Sequence, residues 1–181
     1  LTYAREGWSN GLSVVVDGAL RVLDDETGDP GLYITDPMTW NEAEQAAFIS
    51  WEIDGIDLQE RIELVESDSG RIDTVKATYT FTNPASAKVT KTVSLKVGLD
   101  TMIGENDAAV LATASGIIRD ETGFGQTGDG GSYDNPVPDF WQAYQNDNIA
   151  DPGLIGQGTF VGGGATKPDK FVVGDWFDGL S

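Results

Sequence analysis

Between Arg71 and Asp100 the chain carries two long runs in which apolar and polar residues alternate with period two. In the first, Val75, Ala77, Tyr79 and Phe81 fall on one side, and Thr74, Lys76, Thr78, Thr80 and Thr82 on the other. In the second, Val89, Val93, Leu95, Val97 and Leu99 oppose Thr90, Thr92, Ser94 and Lys96. Successive side chains of a strand point to opposite faces, so each run predicts a strand with one buried face. The other face, rich in Thr and Lys, would meet water or a polar partner. Asn83-Pro84-Ala85-Ser86 lies between the runs, and the pattern predicts a long antiparallel hairpin that turns there.

Upstream, Phe48 to Ile53 and Leu58 to Glu66 read as two further strands, separated by Asp54-Gly55 and closed by Ser67-Asp68-Ser69-Gly70. Together the four runs predict a meander. Leu12 to Val16 and Ala19 to Leu23 flank Asp17-Gly18 and predict a tight hairpin. Trp40 to Ala47 has the composition of a short helix, with Thr39 as N-cap and Glu42 three residues on. Asp139 to Tyr144 suggests a second helical turn, and Gly158 to Phe160 and Lys170 to Trp176 suggest late strands. After Gly116 the crowding of Gly123, Gly125, Gly128, Gly130 and Gly131 predicts a long loop. The expected fold is mainly β: a two-sheet antiparallel β-sandwich with long loops and one or two short helices, forming one domain over residues 1–181, either a mature product or an excised module of a larger protein.

Composition narrows the chemistry. With 181 residues the chain is long enough for a core without disulfides, and it has neither cysteine nor histidine. Thiolate metal sites, cysteine nucleophiles, histidine zinc sites and serine–histidine triads are thereby excluded. The formal net charge is −19, with 20 Asp and 10 Glu against 11 Lys and Arg. The charge speaks against nucleic acid as a partner, and the scattered basic residues speak equally against an anionic membrane surface. No run of 18 apolar residues exists that would insert into a membrane. The 23 glycines and the absence of cysteine fit large modular surface proteins of bacteria or archaea, so an extracellular or cell-surface location is expected.

The acidic, glycine-containing segments make calcium the expected cofactor, because that ion takes six to eight oxygens from carboxylates, amides and backbone carbonyls on turns. Asp100, Glu105, Asn106 and Asp107 are the first-choice ligands, with Asp129 and Asp134 second. Asp24 to Asp29 and Asn146 to Asp151 are further segments of the same kind, and none matches an EF-hand loop. The competing explanations are plain turn formation by Asp, Asn and Gly, and the acid excess that proteins from salty environments carry without bound metal. Trp141 and Tyr144, grouped with Phe140 beside Asp139, Gln142 and Asn146, are candidate sugar-binding aromatics, with core packing as the alternative. Trp8, Trp40, Trp51 and Trp176 are expected in the core or at an interface. With 30 acids in the chain, pairs at glycosidase spacing are inevitable and carry no information.

Three segments, Thr80-Phe81-Thr82-Asn83-Pro84, Val97 to Asp107, and Thr166 to Trp176, together resemble a β-supersandwich type of module found in large secreted or surface-anchored microbial proteins. The resemblance spans residues 71 to 176. Where similar modules have Asn-Asp-Gly, this chain has Asn106-Asp107-Ala108, which weakens the transfer of any site. What the resemblance implies is a two-sheet sandwich used for binding or as a spacer, with no chemistry attached.

Three functions are therefore expected in order. The first is a calcium-stabilised, non-catalytic binding module or adhesin that recognises a protein, peptide or glycan on a surface. The second is a structural spacer or self-assembling protein that packs on neighbouring domains, and the third a carbohydrate-binding or glycoside-active accessory domain.

Overall fold

A computed structural model describes residues 11–23, 31–67, 69–127 and 130–174. The protein is mainly β, with several antiparallel sheets and no helix among the described residues. Its contacts divide it into two compact units, one spanning Gly11–Val97 and the other beginning at Gly98.

In the first unit, β1 (Gly11–Val16) and β2 (Ala19–Val22) form a hairpin across Asp17-Gly18. Both turn residues have positive φ, at 49° and 87°, as a type I′ turn requires. The meander follows as β3 (Leu32–Asn41), β4 (Ala46–Ile53), β5 (Ile56–Glu66) and β6 (Ile72–Thr82), paired in that order. The β4–β5 turn is again Asp-Gly, with Asp54 and Gly55 at φ 49° and 79°. The next strand, β7 (Val93–Gly98), leaves the meander and pairs with β1, which gives a second sheet in the order β2-β1-β7. The expected β6–β7 hairpin therefore does not form. Alternation specifies which face of a strand is buried and leaves its neighbour open.

The core of this unit joins the two sheets. Val14 and Val16 of β1 pack with Leu32, Trp51, Ile53, Ile56 and Leu58 of the meander, flanked by Tyr79, Phe81, Val93 and Leu95. Residues paired across antiparallel strands share a face, so one face of the meander carries Leu32, Trp51, Leu58 and Phe81 at one end. The same face carries Trp40, Ala47, Ile62 and Ala77, then Leu64 and Val75, at the other end. The first end is buried, whereas Trp40, Leu64 and Val75 are more than half exposed.

The expected helix over Trp40 to Ala47 is instead the end of β3, a four-residue turn and the start of β4. Asn41 Oδ1 accepts hydrogen bonds from the backbone N–H groups of Ala43 and Glu44 at 3.0 and 3.3 Å. Gln45 then closes the turn at φ 50°. The side chain of Asn41 thus competes for the donors a helix would need, and the pairing of Trp40 with Ala47 overrides the helix propensity of Glu42 to Gln45.

In the second unit, β8 (Val110–Thr113), β9 (Gly116–Ile118), β11 (Phe140–Tyr144) and β12 (Ile155–Thr159) form a sheet ordered β12-β11-β8-β9. A two-stranded sheet pairs β10 (Thr122–Gly125) with β13 (Lys170–Val173). The second expected helical turn, at Asp139 to Tyr144, is therefore the interior strand β11. The glycine-rich stretch expected as a loop contributes β10 as well, and Gly123 is required there by a close approach. A Cβ on it would lie 2.2 Å from the ring of Tyr133. Ile103, Ala109, Trp141 and Ala143 form this unit's core, with Leu111, Phe160 and Phe171 against them.

Candidate functional site

The meander's second face is polar, and its register follows from the pairs Phe48↔Arg61, Ser50↔Gln59, Gln59↔Thr80 and Arg61↔Thr78. These side chains, with Asp36, Pro37, Thr39, Asn41 and Glu44, line an open groove of about 630 Å³. One wall is shaped by β3, whose pairing with β4 slips by one residue between Ile34 and Asp36 and again between Asp36 and Thr39. Bulges of this kind bend a strand and re-aim its side chains, here around Pro37 at the sheet's edge.

Arg61 organises the floor. Its Nη1 donates to Glu44 Oε2 at 2.8 Å and its Nη2 to Glu63 Oε2 at 3.0 Å. The guanidinium also lies 5.4 Å from the centre of the Phe48 ring, within cation–π range. Asn41 Nδ2 holds the other oxygen of Glu44 at 3.0 Å. Two carboxylates, an amide and an aromatic ring thus fix one cation and offset its charge. Around it stand the hydroxyls of Thr39, Ser50, Thr78 and Thr80 and the amide of Gln59. Such groups donate and accept hydrogen bonds without carrying charge, which suits a polar, extended ligand.

The residues singled out from the sequence lie elsewhere. Asp100 ends the segment after β7, and Ile103 is buried in the second core. The backbones of Ile103 and Asn106 exchange two hydrogen bonds of 3.0 Å around the tip formed by Gly104 and Glu105. Asn106 is engaged at both polar atoms. Its Nδ2 donates to the Gln145 carbonyl at 2.7 Å, and its Oδ1 accepts from the Ala108 N–H at 3.0 Å. Glu105, Asp107 and Asp134 are exposed. Asp129 and the segment Asp24 to Asp29 lie outside the described residues, as do Trp8 and Trp176. Among the described residues no three acidic side chains converge closely enough to hold an ion. Asp147 instead pairs with Arg119, which donates from Nη1 and Nη2 at 3.1 Å each, and that hydrogen-bonded cation holds the exposed carboxyl of Asp147 below its usual range.

Trp141 and Tyr144 are both buried. They lie three apart on a strand, not on a helix, so they point to opposite faces of the sheet. The Trp141 ring covers Gly158 on β12, and the Tyr144 hydroxyl donates to Gln142 Oε1 at 2.7 Å. Of the groove, sequence reasoning anticipated the Thr78 and Thr80 face of β6. It missed Gln59 and Arg61, whose only sequence signal is the polar half of the alternation in β5, and Phe48, an apolar residue on the face that carries Ser50 and Glu52 in β4. Comparison with models of known protein families, with characterised proteins and with solved structures gives no match.

Proposed function

We propose that the chain is a non-catalytic binding module of a microbial surface protein, with its ligand seated on the polar face of the β3-β4-β5-β6 sheet. The observation that carries this reading is the groove around Arg61: a preformed array of hydroxyl and amide groups with the Asp36 carboxylate at one wall, in which the Arg61 cation is already offset by Glu44 and Glu63. Hydrogen-bonding surfaces of this composition recognise peptides and glycans, and the exposed Tyr33 beside the groove adds an aromatic surface. The acid excess and the lack of cysteine support an extracellular or cell-surface setting. The packing of the β2-β1-β7 sheet on the meander supports a sandwich-type arrangement for the first unit.

Calcium enters this reading as a stabilising ion at the acidic turns, Asp100 to Asp107 first. Its support is compositional. Glycan and peptide arrays probed with the wild-type chain and with Thr80→Arg, each with calcium and with chelator, test both parts. The reading expects wild-type binding that is lost in Thr80→Arg while its thermal unfolding is unchanged. Equal binding by both would place the ligand away from the groove, and binding indifferent to chelator would remove the ion from the account. No binding to any array would favour the spacer or assembly reading, which rests on the uncovered apolar end of the meander's other face.

A further inference from the structure

The meander has two edges, and they differ. At one, β3 is interrupted by Pro37 and two register slips, devices that blunt an edge against further pairing. At the other, β6 pairs with β5 without a break from Thr74 to Thr82. That stretch contains neither Pro nor Gly. No backbone hydrogen bond joins it to any strand other than β5 among the described residues. Half of its N–H and C=O groups therefore point outward along an open edge. Beside the edge, Leu64 and Val75 face one another at 64% and 63% exposure, and Ile72 is 71% exposed.

We propose that β6 pairs in antiparallel fashion with β6 of a second copy of this chain, joining two meanders into one eight-stranded sheet. Charge favours this partner at this place. Two copies at −19 each repel over most of their surface, yet Thr74 to Thr82 holds one lysine and no acid. A twofold axis perpendicular to the sheet keeps like faces together. Centred on Thr78, it sets Thr74 against Thr82, Val75 against Phe81, Lys76 against Thr80 and Ala77 against Tyr79. Apolar residues then meet apolar ones on one face, threonines meet threonine or lysine on the other, and no like charges stand opposite. Main-chain hydrogen bonds supply the attraction and the alternating rows supply the register.

Sedimentation velocity over a concentration series, in salt sufficient to screen the net charge, tests the pairing with three variants. Val75→Glu puts an acid on an exposed site of the apolar row, and Ile34→Glu does the same at the blunted edge. Thr78→Cys places the chain's one thiol at the axis. The wild type is expected to dimerise, with Val75→Glu weakening the dimer at least tenfold, Ile34→Glu leaving it unchanged and Thr78→Cys forming a disulfide-linked dimer on oxidation. A wild type that stays monomeric at every concentration overturns the proposal, as does equal weakening by both glutamate variants. A dimer weakened by Val75→Glu without crosslinking through Thr78→Cys would mean packing through the apolar face, and would overturn it too.

Discussion

Arg21 and Asp54 form a two-point ion pair, with Arg21 Nε 3.0 Å from Asp54 Oδ2 and Arg21 Nη2 3.1 Å from Oδ1. Arg21 lies on β2 and Asp54 in the β4–β5 turn, so the pair ties the smaller sheet to the meander. The backbone of Asp54 takes part as well. Its N–H donates to the Gly31 carbonyl at 2.7 Å, and its carbonyl accepts from Lys91, just before β7. One turn residue thus gathers groups from three other places in the chain, and both charged side chains are largely shielded from water.

Replacing Asp54 separates the two roles. Asn tolerates a positive φ, so Asp54→Asn keeps the turn and loses the charge, whereas Asp54→Ala loses both. Hydrogen bonds to charged groups contribute about 1.5–3 kcal/mol. Asp54→Asn is expected near the lower end of that range and Asp54→Ala at or above its upper end, read from denaturant midpoints. Equal midpoints for wild type and Asp54→Ala would show that the pair does not hold the sheets.

Gly158 and Trp141 test the second unit in the same way. A Cβ at Gly158 would lie 2.4 Å from the indole of Trp141, so Gly158→Ala must displace the ring or the strand β12. Overpacking of this kind costs about 1–3 kcal/mol, and Trp141→Ala, which opens a cavity, about 3–5 kcal/mol. Both variants should unfold earlier, with an altered tryptophan emission for Gly158→Ala. If Trp141 were a ligand-stacking residue, its loss would spare stability and abolish binding instead.

Alkaline pH probes the meander core through Tyr79. Burial, the charge of neighbouring Glu60 and a hydrogen bond to it push the Tyr79 hydroxyl well above its ordinary range. A group whose pKa is raised by folding contributes stability that is complete below its unfolded value and is lost as pH rises towards the folded one. The wild type should therefore lose stability from about pH 10 upward, since free tyrosine ionises there. Tyr79→Phe should show a shallower decline over the same window. Parallel declines in the melting temperatures of the two proteins would contradict this assignment.

Local turn chemistry was the most legible layer of the sequence. Asp17-Gly18 and Asp54-Gly55 both require positive φ at two successive positions, and both made the hairpins they predicted. The face pattern of β6 was legible as well. What alternation could not supply was partnership, since β7 fits β1 as well as it would fit β6. It also could not show how far the covering sheet extends, which is why Val75 and Leu64 are exposed although they continue an apolar row. The two helix expectations failed for separate reasons. Asn41 diverts the backbone donors of the first, and the three-residue spacing of Trp141 and Tyr144 suits a helical period although β11 is a strand. The groove was only half visible. Thr78 and Thr80 stood out as a polar face, whereas Arg61, Phe48 and Glu44 acquire their relationship only when β4, β5 and the β3–β4 turn are brought together.

The most direct test of the binding account follows the backbone resonances of β3 to β6 by NMR while a peptide or glycan found by array screening is titrated into the wild type and Thr80→Arg. The account expects shift changes in the wild type centred on Ser50, Gln59, Arg61, Thr78 and Thr80, and none in the folded variant. Changes confined to the segment Asp100 to Asp107, or an unaltered response in Thr80→Arg, would contradict it.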